Sequence, residues 1–371
     1  MPALAILSLF SACVTPPIVD DDLPQQALPE EEAGEREILS IPEAYSAISL
    51  SVQTGDPAAA LAAYEEANLS NPDDPGTQVL LANLYLIAGE LQAAEAVLAE
   101  VLAVDPENTD ALYLLSLVRA ALEDIQGQRE ILEQIISIDP DNAQALAALG
   151  ELQLEERTTA SAEASFQRAV AAEPENLVAR VGLANVFLRQ NRYEDAEEQL
   201  TAAIEIAPDY SFAYSDRARA RVQQFELGEA EGDLTAAIEL EPDYYWHYID
   251  RGRVRLERRR YSGAAADFSE AIAINPDRFV GYLLRARALD ANDELEQALS
   301  DYQTALAMRP DYTPAYAPTG VLYYMTGDYE QAADLFLPAF EEDKRRVEFA
   351  LLAALALQNA GAEERARRFL L

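Results

Sequence analysis

The sequence predicts an all-α repeat protein, and the spacing of its prolines is the main evidence. Eight prolines follow one another at a constant step of 34 residues. They are Pro72, Pro106, Pro140, Pro174, Pro208, Pro242, Pro276 and Pro310. Half of the residues are hydrophobic and only 15 are glycine, which is typical of a long helical chain. Self-similarity at a fixed period indicates a tandem array.

Two helices are expected in each repeat. In the repeat that begins at Pro75, helical stretches run from Gly76 to Ala88 and from Leu91 to Val104, with a break at Gly89. Proline lacks the backbone donor and clashes with the preceding turn, so each periodic proline ends a second helix. Repeats begin at Ile41, Pro75, Thr109, Ala143, Leu177, Ser211, Tyr245, Phe279 and Thr313, with a shortened one at Val347. The array is therefore expected over residues 41–371.

Small residues recur where the two helices of a repeat must approach each other. In the first helix they are Ala82, Gly150, Ala184, Ala218, Gly252, Ala286 and Gly320. In the second helix they are Ala60, Ala94, Ala162, Ala196, Ala230, Ala264, Ala298 and Ala332. A bulky apolar residue follows each of these second-helix alanines four places later, on the same helical face. This pattern predicts close helix pairing.

These positions resemble the tetratricopeptide repeat. Its small, aromatic, alanine, bulky apolar and proline positions match Ala82, Tyr85, Ala94, Leu98 and Pro106. The resemblance covers residues 41–371 and implies a right-handed α-solenoid of helix-turn-helix units. It also implies a concave groove that holds a protein or peptide partner. We expect Glu363 to Leu371 to cap the array, or alternatively to form a dimer contact.

The chain start predicts a lipid anchor. Residues 1–12 are apolar or small and end at Cys13, the single cysteine, and this run is too short to span a bilayer. The stretch from Leu9 to Cys13 resembles the lipobox of bacterial lipoproteins, which implies acylation of Cys13 and removal of the residues before it. The alternative is an ordinary hydrophobic N-terminus with an incidental cysteine.

Residues 14–40 are expected to form a disordered tether. They contain four prolines, the acidic runs 20–22 and 30–32, and little apolar periodicity. Such a tether would hold the array away from a bacterial envelope membrane. We therefore expect the protein to be lipid-anchored in the cell envelope, and a cytoplasmic location is the alternative.

The charge of the chain excludes some partner classes. A formal net charge of −39 argues against nucleic acid, which requires a basic surface, and against direct adhesion to anionic lipid headgroups. Against this background, 12 arginines fall between Arg217 and Arg287. They divide into two classes by their position in the repeat.

The first class predicts a ladder of ion pairs inside the array. Arginine appears in three first helices at a position that is leucine in other repeats, and only those three repeats carry aspartate at one particular position of the second helix. A buried arginine without a partner is costly, so the two residue types are expected to pair. The ladder arginines are Arg217, Arg251 and Arg285, and the ladder aspartates are Asp233, Asp267 and Asp301.

The second class predicts a partner site. Arg219, Arg253 and Arg287, here called the groove arginines, lie two residues after the ladder arginines, at a position that faces the groove in the resembled family. The expected groove wall also includes Phe212, Trp246, Val280, Val222, Leu256, Asp290 and Tyr324. Guanidinium groups that can grip carboxylates, placed beside aromatic side chains, favour an acidic peptide. The alternative is that these arginines are solvated and balance nearby carboxylates.

Catalysis finds little support in the sequence. His247 is the single histidine and is expected to be a partly exposed packing residue. The sequence has no second histidine or cysteine with which it could form a metal site. We therefore expect a scaffold with no cofactor and no catalytic residue. Envelope assembly, secretion or transport would be its setting. The alternatives are a soluble cytoplasmic adaptor and an accessory ligand carrier of a transporter.

Overall fold

The computed structural model describes residues 74–370 together with 38–39, 64 and 68–69. Cys13, the expected tether and most of the repeat that begins at Ile41 lie outside the described residues. Ile38–Leu39 and Asn68–Leu69 form a two-residue parallel bridge. All other regular structure in the described part is helical, which confirms the predicted all-α class. The chain divides into two compact units, unit 1 up to Asp209 and unit 2 from Tyr210.

Unit 1 contains four helix pairs in its described part. They are α1 (Pro75–Ile87) and α2 (Leu91–Val104), α3 (Thr109–Ala121) and α4 (Ile125–Ile138), α5 (Ala143–Glu155) and α6 (Thr159–Ala172), and α7 (Leu177–Arg189) and α8 (Tyr193–Ile206). Each first helix begins at the residue where the sequence repeat begins. Asn108, Asn142 and Asn176 each cap a first helix by accepting a backbone hydrogen bond, which fixes these starts.

Unit 2 continues the same pairing. Its helices are α9 (Ser211–Gln223) and α10 (Leu227–Leu240), α11 (Tyr245–Glu257) and α12 (Tyr261–Ile274), α13 (Phe279–Ala291) and α14 (Leu295–Met308), α15 (Tyr316–Thr326) and α16 (Tyr329–Glu342), and α17 (Val347–Asn359) and α18 (Glu363–Leu370). A 3-10 turn, Thr313–Ala315, precedes α15. Pro314 and Pro318 have no backbone donor, so the α-helix begins later in this repeat than in the others.

The core lies between the two helices of each pair and between neighbouring pairs. The predicted small residues are buried against the predicted large ones: Ala162 and Phe166 of α6 have no exposed surface. A Cβ added at Gly182 would come within 2.4 Å of the Phe166 ring, so only glycine fits there. First helices of successive pairs also contact each other, as α5 contacts α7 and α11 contacts α13. Their remaining face is therefore available to a partner.

The turn inside each pair repeats one backbone conformation. One residue in every described turn has a positive φ, and in most repeats it is not glycine. These residues are Gly89, Glu123, Arg157, Asn191, Phe225, Arg259, Asp293, Gly327 and Gly361. They project at the same position of successive repeats, and Phe225 is 87% exposed there.

Candidate functional site

The ladder residues meet as paired ions within each of three helix pairs of unit 2. Nη2 of Arg217 donates to Asp233 at 2.7 Å, and Nε of the same side chain donates at 3.1 Å. Arg251 reaches Asp267 at 2.7 Å. Each contact is a two-pronged guanidinium–carboxylate pair, which is the strongest geometry available to these groups.

The third step of the ladder has the same form. Nε and Nη2 of Arg285 donate to Asp301 at 2.7 and 2.8 Å. The aspartates are buried, with 5%, 2% and 6% of Asp233, Asp267 and Asp301 exposed. Because the carboxylates are removed from water and fully paired, these contacts hold the first helix of each pair to the second.

The ladder also joins neighbouring pairs. Nη1 of Arg251 donates to the hydroxyl of Thr235 in α10 at 3.3 Å, and Nη1 of Arg285 donates to Ser269 in α12 at 3.2 Å. Each of these hydroxyls lies two residues after the aspartate of the preceding repeat. The ladder therefore bonds within a repeat and across to the repeat before it.

Two further arginines take part that the sequence reasoning missed. Arg221 donates to Asp233 at 2.8 Å, and Arg255 donates to Asp267 at 2.9 Å. Both lie one helical turn after a ladder arginine, a spacing that places them on the same helix face. Leu289 occupies this position in the third repeat, so Asp301 has one arginine partner among the described residues.

The groove arginines are much more exposed than the ladder arginines. Side-chain exposure is 61% for Arg219 and 49% for Arg253, against 14% for Arg217. Each of the first two makes one contact inside its own helix: Arg219 with Asp216 at 2.6 Å, and Arg253 with Asp250 at 3.3 Å. Their remaining donors have no partner among the described residues.

The two aspartates that pair with Arg219 and Arg253 have raised pKa values. Burial raises the pKa of Asp216, although the Arg219 charge opposes this, and the neighbouring Asp250 charge raises it further. Burial likewise raises the pKa of Asp250, against the charges of Arg253 and Arg219. The face between α9 and α11 is thus partly desolvated, which strengthens any charge pairing that forms on it.

Arg287, the third groove arginine, is exposed and makes no ion pair with the described residues. It lines a surface depression of about 510 Å³ in unit 2 together with Asp290. Tyr302, Tyr312, Pro314 and Pro318 form part of the same wall. The Arg287 guanidinium can donate there to a carboxylate of a ligand, while the Asp290 carboxylate in the same wall offsets part of its charge.

Aromatic side chains lie beside these arginines. The Phe212 ring packs edge-on against Tyr244, with centroids 5.1 Å apart, and Trp246 stands 5.1 Å from the Tyr245 ring and 5.4 Å from the Arg278 guanidinium. Phe212 and Trp246 are both half-buried. They are therefore held in place while part of each ring remains open to a ligand.

The other residues of the expected groove wall vary in exposure. Trp246, Leu256 and Val280 are partly buried against one hydrophobic cluster, and Val222 is partly buried against another. The Tyr324 hydroxyl accepts a hydrogen bond from Asn359 at 2.7 Å. All of them lie on first helices of unit 2.

The matches to known proteins agree with this architecture. Models of the tetratricopeptide repeat match residues 51–118, 109–142, 153–222, 215–279 and 283–339. The chain belongs to the tetratricopeptide repeat family. A comparison with curated proteins gave no match.

Several solved structures align with this tetratricopeptide chain at low sequence identity. PilF of Pseudomonas aeruginosa aligns with a TM-score of 0.49 at 19% identity, over 56% of this chain and 94% of that one. The Cut9-Hcn1 hetero-tetramer of the APC/C gives 0.50 at 15% identity, over 81% and 59%. YrrB, described as a TPR protein with an unusual peptide-binding site, gives 0.45 at 17%, over 50% and 95%.

Tetratricopeptide arrays are generally non-catalytic scaffolds for protein–protein interaction, and they bind protein or peptide partners. In the described part of the chain, no group of histidine, cysteine and acidic side chains is arranged to hold a metal ion. None of the helices that the structure describes combines the length and apolar character needed to cross a bilayer.

His247 differs from the sequence expectation because it is buried, with 1% exposed. Its Nδ1 lies 2.9 Å from the Ser215 hydroxyl, and its Nε2 has no hydrogen-bond partner among the described residues, with the Glu241 carboxylate 3.7 Å away. Burial lowers the pKa of His247 to about 4. The equivalent position is a small residue in neighbouring repeats, such as Ala213 and Gly281, and that periodicity was the available signal of burial.

The sequence reasoning also missed an apolar stretch on the last two first helices of unit 2. Large apolar side chains of α15 and α17 are 41–60% exposed. They are Val321, Met325, Val347, Leu351 and Leu355. Val321 and Leu355 occupy the repeat position of the groove arginines, so the sequence frame could have located them. Contiguous exposed apolar side chains of this kind mark interaction sites.

Proposed function

We propose that the exposed face of the first helices in unit 2, here called the groove face, binds a protein segment that carries carboxylates. The observation that supports this most directly is the row of three exposed guanidinium groups, Arg219, Arg253 and Arg287, in a chain of net charge −39. Acidic surface elsewhere would repel such a segment. The arginine row is where its carboxylates can pair.

The state of the groove arginines supports exchange with a ligand. Arg219 and Arg253 are exposed and each makes a single ion pair within its own helix, so most of their guanidinium donors remain available. A ligand carboxylate can use the remaining donors in a two-pronged contact. Trp246 beside them offers the rigid apolar surface on which binding energy usually concentrates.

The partner segment is proposed to have two parts. Its acidic residues lie along α9, α11 and α13, where the groove arginines stand. Its apolar residues lie on Val321, Met325, Leu351 and Leu355, which follow the arginine row in the repeat order. This order predicts a partner in which a cluster of carboxylates adjoins a hydrophobic stretch.

Two variants, compared with wild type and with one control variant, test the binding proposal on the full-length protein. Wild type, Trp246→Ala and Arg253→Glu are used to capture a partner from native envelopes, and its affinity for each is then measured. The two changes should each weaken binding with helicity unchanged, and Arg253→Glu should do so more strongly at low salt. Arg345→Glu is the matched control, because Arg345 is 90% exposed and bonded to Asp343 in the turn before α17. Wild-type affinity in both groove variants would move the site elsewhere.

We further propose that acylation of Cys13 tethers the protein to a bacterial envelope membrane, with residues 14–40 as the spacer. The apolar run that ends at Cys13 and the acidic, proline-containing stretch after it support this proposal. The function that follows is an accessory role in envelope assembly, secretion or transport. Cys13→Ser should move the protein to the soluble fraction and leave the first 12 residues attached. A wild type that is already soluble and retains Met1 would contradict the anchor.

A further inference from the structure

Four arginines gather at the turn between α11 and α12, away from the groove arginines. Three of them surround one carboxylate, that of Glu231 in α10. Nε of Arg255 donates to it at 2.9 Å, Nη1 of Arg258 at 2.5 Å and Nη1 of Arg260 at 3.1 Å. We call Arg255, Arg258, Arg259 and Arg260 the basic edge.

Glu231 fixes the arginines without neutralising them. Its side chain is 11% exposed, and both of its oxygens already accept hydrogen bonds. Burial by itself would raise the pKa of Glu231, but the hydrogen bond from Arg255 and the charges of Arg255, Arg260 and Arg258 bring it below the usual value. One carboxylate thus faces three guanidinium groups, and the cluster keeps a positive excess.

Much of the donor capacity of the basic edge remains unused. Arg258 and Arg260 each contact Glu231 through Nη1 alone, so their Nε and Nη2 donors have no partner among the described residues. The Arg259 side chain is exposed and makes no hydrogen bond or ion pair within the described part of the chain. Unsatisfied guanidinium donors held in fixed positions favour an incoming carboxylate.

A cavity opens beside these side chains. Its volume is about 510 Å³, and Arg255, Arg259 and Arg260 line it together with Tyr261 and Asn292. A space of this size holds one or two amino-acid side chains, so the edge accepts a chain segment and not merely a single ion.

The preceding turn supplies an apolar anchor next to the basic edge. Phe225 has the same positive φ as Arg259 and occupies the equivalent position one repeat earlier. The Arg258 guanidinium reaches back to α10, where its Nη2 lies 3.9 Å from the point at which a Cβ on Gly228 would stand. Gly228 is three residues after Phe225, so the Arg258 side chain comes close to the turn that carries Phe225.

We infer that the basic edge and Phe225 form a second docking site, for an acidic protein segment that also carries an apolar side chain. Glu226 and Glu229 follow Phe225 in the sequence, and their charges direct the carboxylates of the ligand to the arginines and its apolar side chain to the phenyl ring. Exposed aromatic and arginine side chains are the types enriched in protein interfaces. A small anion would make no use of Phe225.

Two labelled peptides test this inference on the full-length protein: one of six glutamates, and one of six glutamates followed by two leucines. Both should bind wild type, the second more tightly. Arg258→Ser with Arg260→Ser should weaken both peptides by about tenfold or more, because two guanidinium groups are lost at the centre of the site. Phe225→Ser should weaken the leucine-bearing peptide alone.

The control is Arg345→Ser with Arg346→Ser, which removes the same charge from another exposed turn whose arginines are bonded to Asp343 and Glu348. It should bind both peptides as wild type does. Any peptide binding that persists in the basic-edge variant and is lost when Arg253→Glu is added belongs to the groove face, which separates the two sites. Equal affinity of wild type and the basic-edge variant would overturn the inference. So would binding of inorganic phosphate or anionic vesicles at the edge without binding of either peptide.

Discussion

Units 1 and 2 are built from the same helix pair, but they connect its two helices by different chemistry. In unit 1 the ladder position is apolar, with Leu149 and Leu183 buried to 8% and 4% exposure, opposite Ser165 and Gln199. In three pairs of unit 2 an arginine and an aspartate take these places. The fold therefore requires the small and large core positions, and it accepts either an apolar contact or a satisfied ion pair between them.

This difference predicts how each unit responds to substitution. An intact buried ion pair contributes about as much as an apolar pair of similar volume, but removal of one partner leaves an uncompensated charge. Unit 2 should therefore be the more sensitive of the two to single changes at these positions.

The first-helix faces differ as well. The position of the groove arginines is Asn83, Leu117, Glu151 and Asn185 in the repeats of unit 1. Although part of its side chain reaches solvent, desolvation by the surrounding helices raises the pKa of Glu151 to about 7, and the Glu155 charge adds to this. That face of unit 1 has no arginine at this position, so it offers no guanidinium group to the carboxylates that unit 2 is proposed to bind.

The largest effect is expected for Asp267→Ala. This change leaves the Arg251 guanidinium, with only 13% of its side chain exposed, without its carboxylate, and Arg255 loses one of its two acidic partners. The free energy of unfolding should fall by about 3–5 kcal/mol. Urea unfolding followed by circular dichroism measures it, and a loss below about 1 kcal/mol would show that the ladder is not a structural element.

The next largest effect is the pH dependence that His247 adds to the free energy of unfolding. No other repeat contains a histidine. The unfolded imidazole takes up a proton near pH 6.5, whereas the folded one does so only near pH 4. The unfolded state binds more protons between these values, so the free energy of unfolding should decrease as pH falls from 6.5 to 4, by up to about 3 kcal/mol.

Melting curves of wild type and His247→Ala across this range measure the difference, since the many carboxylates titrate in both proteins. Alanine is the residue of several repeats at this position, Ala213 among them. Parallel pH profiles of the two proteins would contradict the assignment of a buried neutral imidazole.

A double substitution can replace one arginine–aspartate pair of unit 2 with the leucine and serine that unit 1 has at these positions. Asp301→Ser alone leaves Arg285 without its carboxylate and should cost about 2–3 kcal/mol. Adding Arg285→Leu reproduces the Leu149 and Ser165 combination, and it should bring stability back to within about 1 kcal/mol of wild type. Asp301 is the suitable step because Leu289 stands where the other two repeats supply a second arginine. Additive losses in the double variant would contradict the equivalence of the two chemistries.

The smallest effect is expected for Arg253→Ala. Arg253 is 49% exposed, and its contact with Asp250 is a single 3.3 Å hydrogen bond within one helix. Such pairs contribute about 0.5 kcal/mol or less. A melting shift as large as that of Asp267→Ala would remove the distinction between ladder and groove arginines.

Sequence alone determined the repeat frame, the first-helix starts from Pro75 to Phe279 and most of the buried core. Helix ends at each periodic proline and the small-to-large spacing are local properties, because they depend on backbone donors and on the 3.6-residue turn. Arg217 and Asp233 could be matched for the same reason: residues that change together in the repeat frame occupy facing positions of one pair.

Only the tertiary structure decided which partners the long arginine side chains contact. Arg255 joins Asp267 to Glu231, a residue 24 positions away, and Arg258 reaches back over the preceding turn. Flexible side chains can take several directions from one backbone position, and the packing of neighbouring repeats selects among them. His247 became a buried neutral group for a related reason. Its surroundings, rather than its residue type, set its exposure and its pKa.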